Sequence, residues 1–316
     1  MTTTDPVVHE ELLPLRHLIP NLDFGGDGLA TMRAAQGEFF RSGAIALSTT
    51  VERGDHVVSA DPHVVVRVHR PVALAAPAAC IYSIHGGGYV IGSYEMDDFF
   101  LDRYCNEFGC VGVSVEYRLA PEVAYPGPLD DCYAGLAWTI AHAEELGVDP
   151  ARVGIAGVSA GGGLAAGLAL LARDRGELPV AFQLLQCPMI DDRQVTPSSR
   201  CDNLLVWSRE ANTFGWQSYL GARYGTDDIP AYAAAARAGD LAGLPPTMVI
   251  TGGADGFRDE NIDYARRLGE AGVPTDLTVI AGAPHGVHLF IGTTPERRWT
   301  RAVEEWLRPR LEANSR

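Results

Sequence analysis

In the stretch Val153-Gly-Ile-Ala-Gly157-Val158-Ser159-Ala160-Gly161-Gly-Gly163, one serine stands between glycines two residues before it and two after it. A serine hydroxyl becomes a nucleophile only when a neighbouring base takes its proton, and a strand turning sharply into a helix is one backbone that presents such a hydroxyl. The surroundings fit: an apolar strand-like run ends at Gly157 and an Ala/Leu-rich helical run opens at Gly161. So tight a turn leaves no room for side chains beside the serine, which Gly157 and Gly161 satisfy. The turn would lift Ser159 Oγ above the sheet at a helix N-terminus, where free N–H groups favour developing negative charge.

Upstream, Ile81-Tyr-Ser-Ile-His85-Gly86-Gly87-Gly88-Tyr89 ends a strand-like run in three consecutive glycines. Without Cβ atoms, backbone N–H groups there can face a ligand closely. Paired with the serine turn, Gly86 and Gly87 are expected to form an oxyanion hole together with the N–H of Ala160. None of the 316 residues is lysine, so all 25 basic residues are arginine. That excludes Schiff-base aldolases, pyridoxal-phosphate enzymes, Walker phosphate loops and Ser-x-x-Lys acyl transferases. The base must then come from the nine histidines. His285, in Ala283-Pro-His285-Gly286, follows the last expected strand and is the candidate; His288, three residues on, is its competitor. A metal-binding His285-x-x-His288 pair lacks a third ligand nearby in sequence and is set aside. His9, His17, His56, His63, His69 and His142 sit in no motif. Asp255, in Thr251-Gly-Gly-Ala-Asp255-Gly-Phe-Arg-Asp259-Glu260, is placed to orient the base, in the chain order Ser, Asp, His. Asp259 and Glu260 read as first-turn helix acids that could substitute for it.

Five segments in this order resemble the hormone-sensitive-lipase-like esterases: the His85 glycine box, Tyr117-Arg-Leu-Ala-Pro-Glu122, the Gly157–Gly161 elbow, the Asp255–Glu260 acid loop and His285-Gly286. The likeness runs from about residue 78 to 310. It implies an α/β-hydrolase fold with a helical cap, a triad of Ser159, Asp255 and His285, and oxyanion donors Gly86, Gly87 and Ala160. It further implies hydrolysis of short- to medium-chain acyl esters with no cofactor and no metal. The chain departs from the family pattern at Val158, usually Asp or Thr, at Gly256, usually Pro, and at Val287, usually aromatic. Arg118 of the second segment is expected to pair with Asp130 or Asp131 rather than touch substrate. The resemblance also admits amide hydrolysis, a dehydratase-type elimination or a non-catalytic receptor of the plant gibberellin type; the presence of His285 speaks against the receptor.

To hold these groups, strands are expected at Val64–His69, Cys80–His85, Cys110–Tyr117, Val153–Gly157, Ala181–Cys187, Thr247–Thr251 and Leu277–Ala281. Helices are expected at Asp130–Leu146, Gly161–Asp174, Arg258–Ala271 and Pro295–Glu312. This alternation implies a mostly parallel central sheet with helices on both faces, an α/β fold. The expected division is a helical cap arm over 1–46, carrying Leu12, Leu13, Leu15, Leu18, Ile19, Phe39 and Phe40, a catalytic core over 47–194 and 237–316, and an aromatic cap insertion over 195–236. The uncharged run Val153–Ala172 is long enough for a membrane span, but its glycines favour strand, turn and buried helix.

Forty acids against 25 bases give a net charge of −15, which disfavours nucleic acid as a partner. The expected partner is a small-molecule ester, with no membrane span; a homodimer is one open assembly. Six irregularly spaced cysteines suggest core thiols, and the start Met1-Thr-Thr-Thr-Asp5-Pro lacks a basic and apolar leader, which reads as a cytoplasmic protein. A base with an ordinary imidazole pKa would give activity rising through about pH 6–7.

Overall fold

The structure is a computed structural model that describes residues 5–19, 22, 24–42 and 45–312. Met1–Thr4 and the side chain of Leu18 lie outside the described part. Eight strands form one sheet in the order β1-β2-β4-β3-β5-β6-β7-β8. They are β1 (Val51–Ala60), β2 (His63–Pro71), β3 (Ala78–Ile84), β4 (Val111–Glu116), β5 (Val148–Val158), β6 (Gln183–Gln186), β7 (Thr247–Gly252) and β8 (Thr275–Ile280). β2 runs against both its neighbours, and β3 to β8 are all parallel.

The period-two alternation of a strand sends its side chains to two cores. On β3, Cys80, Tyr82 and Ile84 join a core with helices α3 (Gly127–Ala141), α5 (Ala160–Arg175) and α7 (Arg258–Glu270). Ala79 and Ile81 face the opposite core, filled by α2 (Asp98–Phe108) and α8 (Thr294–Leu311). The remaining helices are α1 (Gly28–Arg41), α4 (Ala143–Leu146) and α6 (Arg209–Leu220). Residues Ala160–Ala172 of α5 are buried all round, so the uncharged run is indeed strand, turn and interior helix. Among the described residues no helix is long and apolar enough to cross a membrane. Cys80, Cys105, Cys110, Cys132 and Cys187 are buried thiols.

Two elements escaped the sequence pattern. β1 is an edge strand with little burial and several charged residues, so it carries no apolar run, and only its ladder to β2 makes it a strand. α2 turns Leu101, Cys105 and Phe108 into the core and is also tied to the sheet by charge. His69 on β2 is fully buried, its Nε2 3.3 Å from Asp98 and its Nδ1 3.2 Å from Asp102 on that helix. Arg53 of β1 donates to Asp102 at 2.7 Å and Arg67 of β2 to Asp98 at 2.9 Å. The expected helix over 130–146 breaks at His142 into α3 and α4. Residues 10–18 form a 3-10 helix whose Leu12 is buried in the α2/α8 core, while Glu11 accepts hydrogen bonds from Thr294. This half of the arm is therefore a strap on the core.

Burial alone disfavours an imidazolium at His69, but hydrogen bonding and charge from Asp102 and Asp98 outweigh it and raise the pKa. A raised histidine pKa contributes stability that is complete below the ordinary imidazole value and is lost as pH climbs through the raised value. His69→Gln should destabilise the fold by about 2 kcal/mol near pH 6, with the gap narrowing toward alkaline pH. Urea titrations across that range measure it, and a gap independent of pH would contradict the charge assignment.

Candidate active site

The elbow is built by close approach of backbones. Ser159 has φ +57° and ψ −120°, a conformation that costs a non-glycine residue about 1–3 kcal/mol. Its N–H donates to Gln186 C=O at 2.9 Å, and its C=O accepts from Met189 N–H at 2.9 Å and Gly163 N–H at 3.0 Å. A Cβ on Gly157 would overlap the Gly161 carbonyl, and one on Gly161 would overlap the Ile84 carbonyl. Both glycines are thus required by β3, β5 and α5 meeting at one point. Ala160 is the first residue of α5, so its N–H has no acceptor within the helix.

Two neighbouring strand ends, those of β7 and β8, deliver the remaining groups. His285, past β8, places Nε2 2.9 Å from Ser159 Oγ and Nδ1 2.9 Å from Asp255 Oδ2, past β7. A carboxylate can only accept, so Nδ1 carries the hydrogen and the Nε2 lone pair faces the serine. The other Asp255 oxygen accepts the Phe257 N–H at 2.9 Å. The Phe257 ring stands edge-on to His285 at 5.0 Å. All three residues are buried. Desolvation pushes the His285 imidazole down, but the Asp255 carboxylate and the Cys187 sulfur beside it more than offset this and hold the pKa above its ordinary value.

The competitor His288 is not part of this array. It packs against Phe100 and Trp299, its Nδ1 is buried without a partner, and burial pushes its pKa down to about 4. Asp259 and Glu260 lie in the first turn of α7 but act elsewhere. Asp259 accepts the Ser198 N–H, and buried Glu260 accepts those of Ile190 and Asp191. Arg118 grips Asp131 through two hydrogen bonds of 2.8 and 2.7 Å, the structural ion pair its sequence context suggested.

The glycine loop abuts the elbow: a Cβ on Gly86 would lie 3.4 Å from Ser159 Cβ. His85, whose role the sequence did not reveal, pins this loop. Its Nδ1–H donates to the Gly86 carbonyl at 2.8 Å while its ring stacks on Tyr117 at 4.2 Å. In a trans peptide the N–H points opposite to the C=O, so holding the Gly86 carbonyl also fixes the direction of the Gly87 N–H. Burial pushes the His85 pKa down to about 4, which keeps the ring neutral. Gly87 has φ +114°, and a Cβ there would overlap the Ile91 carbonyl.

The insertion lies directly on this loop. A Cβ on Gly88 would overlap the Trp207 ring, and one on Gly215 of α6 would come within 2.7 Å of the Gly88 carbonyl. Phe24 of the arm stacks on Phe214 at 5.0 Å and meets Trp207 at 6.0 Å. From α1, Arg33 donates to the carbonyls of Val90 and Ala120 at 2.8 Å each and forks onto Glu122 at 2.8 and 2.9 Å. The fork holds the Glu122 carboxyl below its usual range. Glu122 closes the Tyr117–Glu122 segment, and Val90 follows the glycine loop, so one arginine ties arm, loop and segment together.

A family profile described as the alpha/beta hydrolase fold matches residues 81–289. The chain belongs to the hormone-sensitive-lipase-like α/β-hydrolases. It is 34% identical over 222 residues to Esterase LipI of Mycobacterium tuberculosis, covering 70% of this chain and 69% of that one. It is also 34% identical over 242 residues to Carboxylesterase NlhH of the same species, covering 73% of each. The structure superposes on a bacterial heroin esterase with TM-score 0.92 at 39% identity, covering 97% of this chain and 99% of that one. The protein is a carboxylic ester hydrolase.

Within this hormone-sensitive-lipase-like frame the departures have local reasons. A Cβ on Gly256 would stand 2.8 Å from Leu204 Cδ1, so glycine lets the insertion rest on the acid loop. Val287 is fully buried in the core that holds Leu12. Val158 packs partly into that same core, where a carboxylate would need a partner.

Removing the arginine fork frees the flank of the glycine loop, and misplacing a reacting group by about 1 Å can cost about a hundredfold in rate. Arg33→Ala should therefore lower kcat by about tenfold or more, with Arg33→Lys recovering part of it because a point charge cannot fork. Steady-state kinetics beside a thermal melt measures this; loss of melting temperature with kcat retained would assign Arg33 to stability alone.

Proposed function

We propose that this esterase cleaves its substrate through a covalent acyl-enzyme formed on Ser159. What supports the reading is the unbroken chain Ser159 Oγ to His285 Nε2 to Asp255, with both links at 2.9 Å. His285 accepts the serine proton as Oγ attacks the ester carbonyl, and Asp255 stabilises the imidazolium. The N–H groups of Gly86, Gly87 and Ala160 receive the oxyanion, each such donor contributing about 3–4 kcal/mol in the transition state. His285 returns the proton to the leaving alcohol, then activates the water that releases the acid. No cofactor is needed for any step.

The roof favours short acyl chains. Trp207 occupies the space immediately over Gly88, and Phe24 and Phe214 close in beside it. The arm around Phe24 and the insertion around Trp207 together act as the cap. Long chains would have to displace a packed aromatic cluster.

Ser159→Ala should lower turnover of p-nitrophenyl acetate and butyrate by about 10⁴-fold or more and abolish labelling by a fluorophosphonate probe. Full turnover in that variant would remove the nucleophile assignment. The raised His285 pKa keeps the base protonated to higher pH, so kcat/KM should rise with pH through a midpoint above about 6.5, later than an unperturbed histidine would give. Asp255→Asn should bring that midpoint down while reducing kcat by about 10⁴-fold; a pH–rate profile that does not move would point to another base. Along acetate, butyrate, octanoate and laurate esters, kcat/KM should fall, and Trp207→Ala should flatten the series. An unchanged series would place the acyl chain elsewhere.

A further inference from the structure

Three groups converge at the carboxyl edge of the sheet that ester hydrolysis does not fully use. Cys187 follows β6, Asp255 follows β7 and His285 follows β8, so three adjacent strand ends each contribute one side chain. One ligand-capable atom from each, the Cys187 sulfur, an Asp255 oxygen and a His285 nitrogen, lies within 4.8 Å of the others, and all three residues are buried. Cys187 is held there by its backbone: φ is +37°, and its N–H donates to Ile250 C=O at 2.7 Å. The thiol lies beside His285 but makes or breaks no bond in the acyl transfer derived above.

A soft sulfur, an imidazole nitrogen and a carboxylate oxygen form a donor set suited to zinc-like, thiophilic divalent ions, with a fourth position left for water. There is also a route inward. A groove of about 1010 Å³ runs between the arm at Pro6–His9 and the insertion near Leu204, and Gly253, Asp255 and Gly282 form part of its wall. It reaches the acid side of the triad.

We propose that a thiophilic divalent cation, of the zinc and cadmium class, binds Cys187, Asp255 and His285 and reversibly switches the esterase off. The nitrogen that faces the carboxylate is Nδ1, and it must lose its hydrogen to bind a metal. Where the imidazole is already neutral it keeps its one proton on Nε2 instead, and the thiol gives its proton to solvent as the sulfur–metal bond forms, so one proton leaves per ion bound; from the imidazolium a second proton leaves as well. Nε2 then donates to Ser159 Oγ where before it accepted. The lone pair needed to activate the serine is gone, and the orienting bond from Asp255 is replaced by the metal.

This inference rests on the triad reading for its effect on activity but not for the binding itself, and the test separates the two. Chelator-treated enzyme is titrated with zinc chloride and cadmium chloride. Activity should fall and recover with EDTA. Magnesium chloride should have no such effect. Cys187→Ala and Cys187→Ser, each compared with its own metal-free activity, should weaken inhibition by about a hundredfold or more, since even an outer-shell partner is worth about 10–100-fold in affinity. Independently of turnover, cadmium should give a thiolate charge-transfer absorption at one equivalent per chain, lost in both Cys187 variants. If the absorption appears without inhibition, the site stands and the triad reading fails. If magnesium inhibits equally, or the variants keep both the inhibition and the absorption, the proposal is overturned.

Discussion

One backbone conformation organises this molecule. Ser159 sits at φ +57° and ψ −120°, and a side chain is held there only if its surroundings leave no alternative. Here they are the hydrogen bonds to Gln186, Met189 and Gly163 and the contact of glycine-bearing backbones from β3, β5 and α5. The same close approach brings the glycine loop against the serine and starts α5 beneath it. The Ser159 elbow and the neighbouring N–H groups are thus consequences of a single packing constraint, and the buried α5 is what anchors it to the core.

Around that constraint the structure uses arginine where many proteins would mix in lysine. Arg53 and Arg67 secure α2 to the antiparallel end of the sheet, Arg118 grips Asp131, and Arg237 forks onto Asp192. Arg33 binds two carbonyls and a carboxylate at once. These are planar, multi-donor contacts for which an ammonium is a poor substitute. The absence of lysine, which at first only removes mechanisms, therefore also describes how the loops around the site are tied down.

Much of the site was legible because tight turns and strand ends impose residue types. Gly157, Gly161 and the glycine loop announce themselves since nothing larger fits, and His285 and Asp255 stand at strand ends where the fold places reacting groups. Less visible were groups that act through partners distant in sequence. His85 pins the Gly86 carbonyl only because Tyr117 supplies its stacking surface, and Arg33 matters only because α1 crosses residues 90, 120 and 122. Edge strand β1 was missed for the related reason that it carries no apolar period, the feature by which elements are read from sequence.

By itself, then, the sequence determined the α/β alternation, the candidate serine with its candidate acids and histidines, and the exclusion of lysine chemistry, because local backbone geometry restricts which residues can stand at such points. Only the tertiary structure decided that His285 rather than His288 faces Ser159, that the first part of the arm is a strap while Phe24 meets Trp207, and that Cys187 lies beside Asp255 and His285. Those outcomes depend on which strand ends become neighbours in the sheet and on which faces of distant segments meet, and neither spacing nor composition encodes a distance in space.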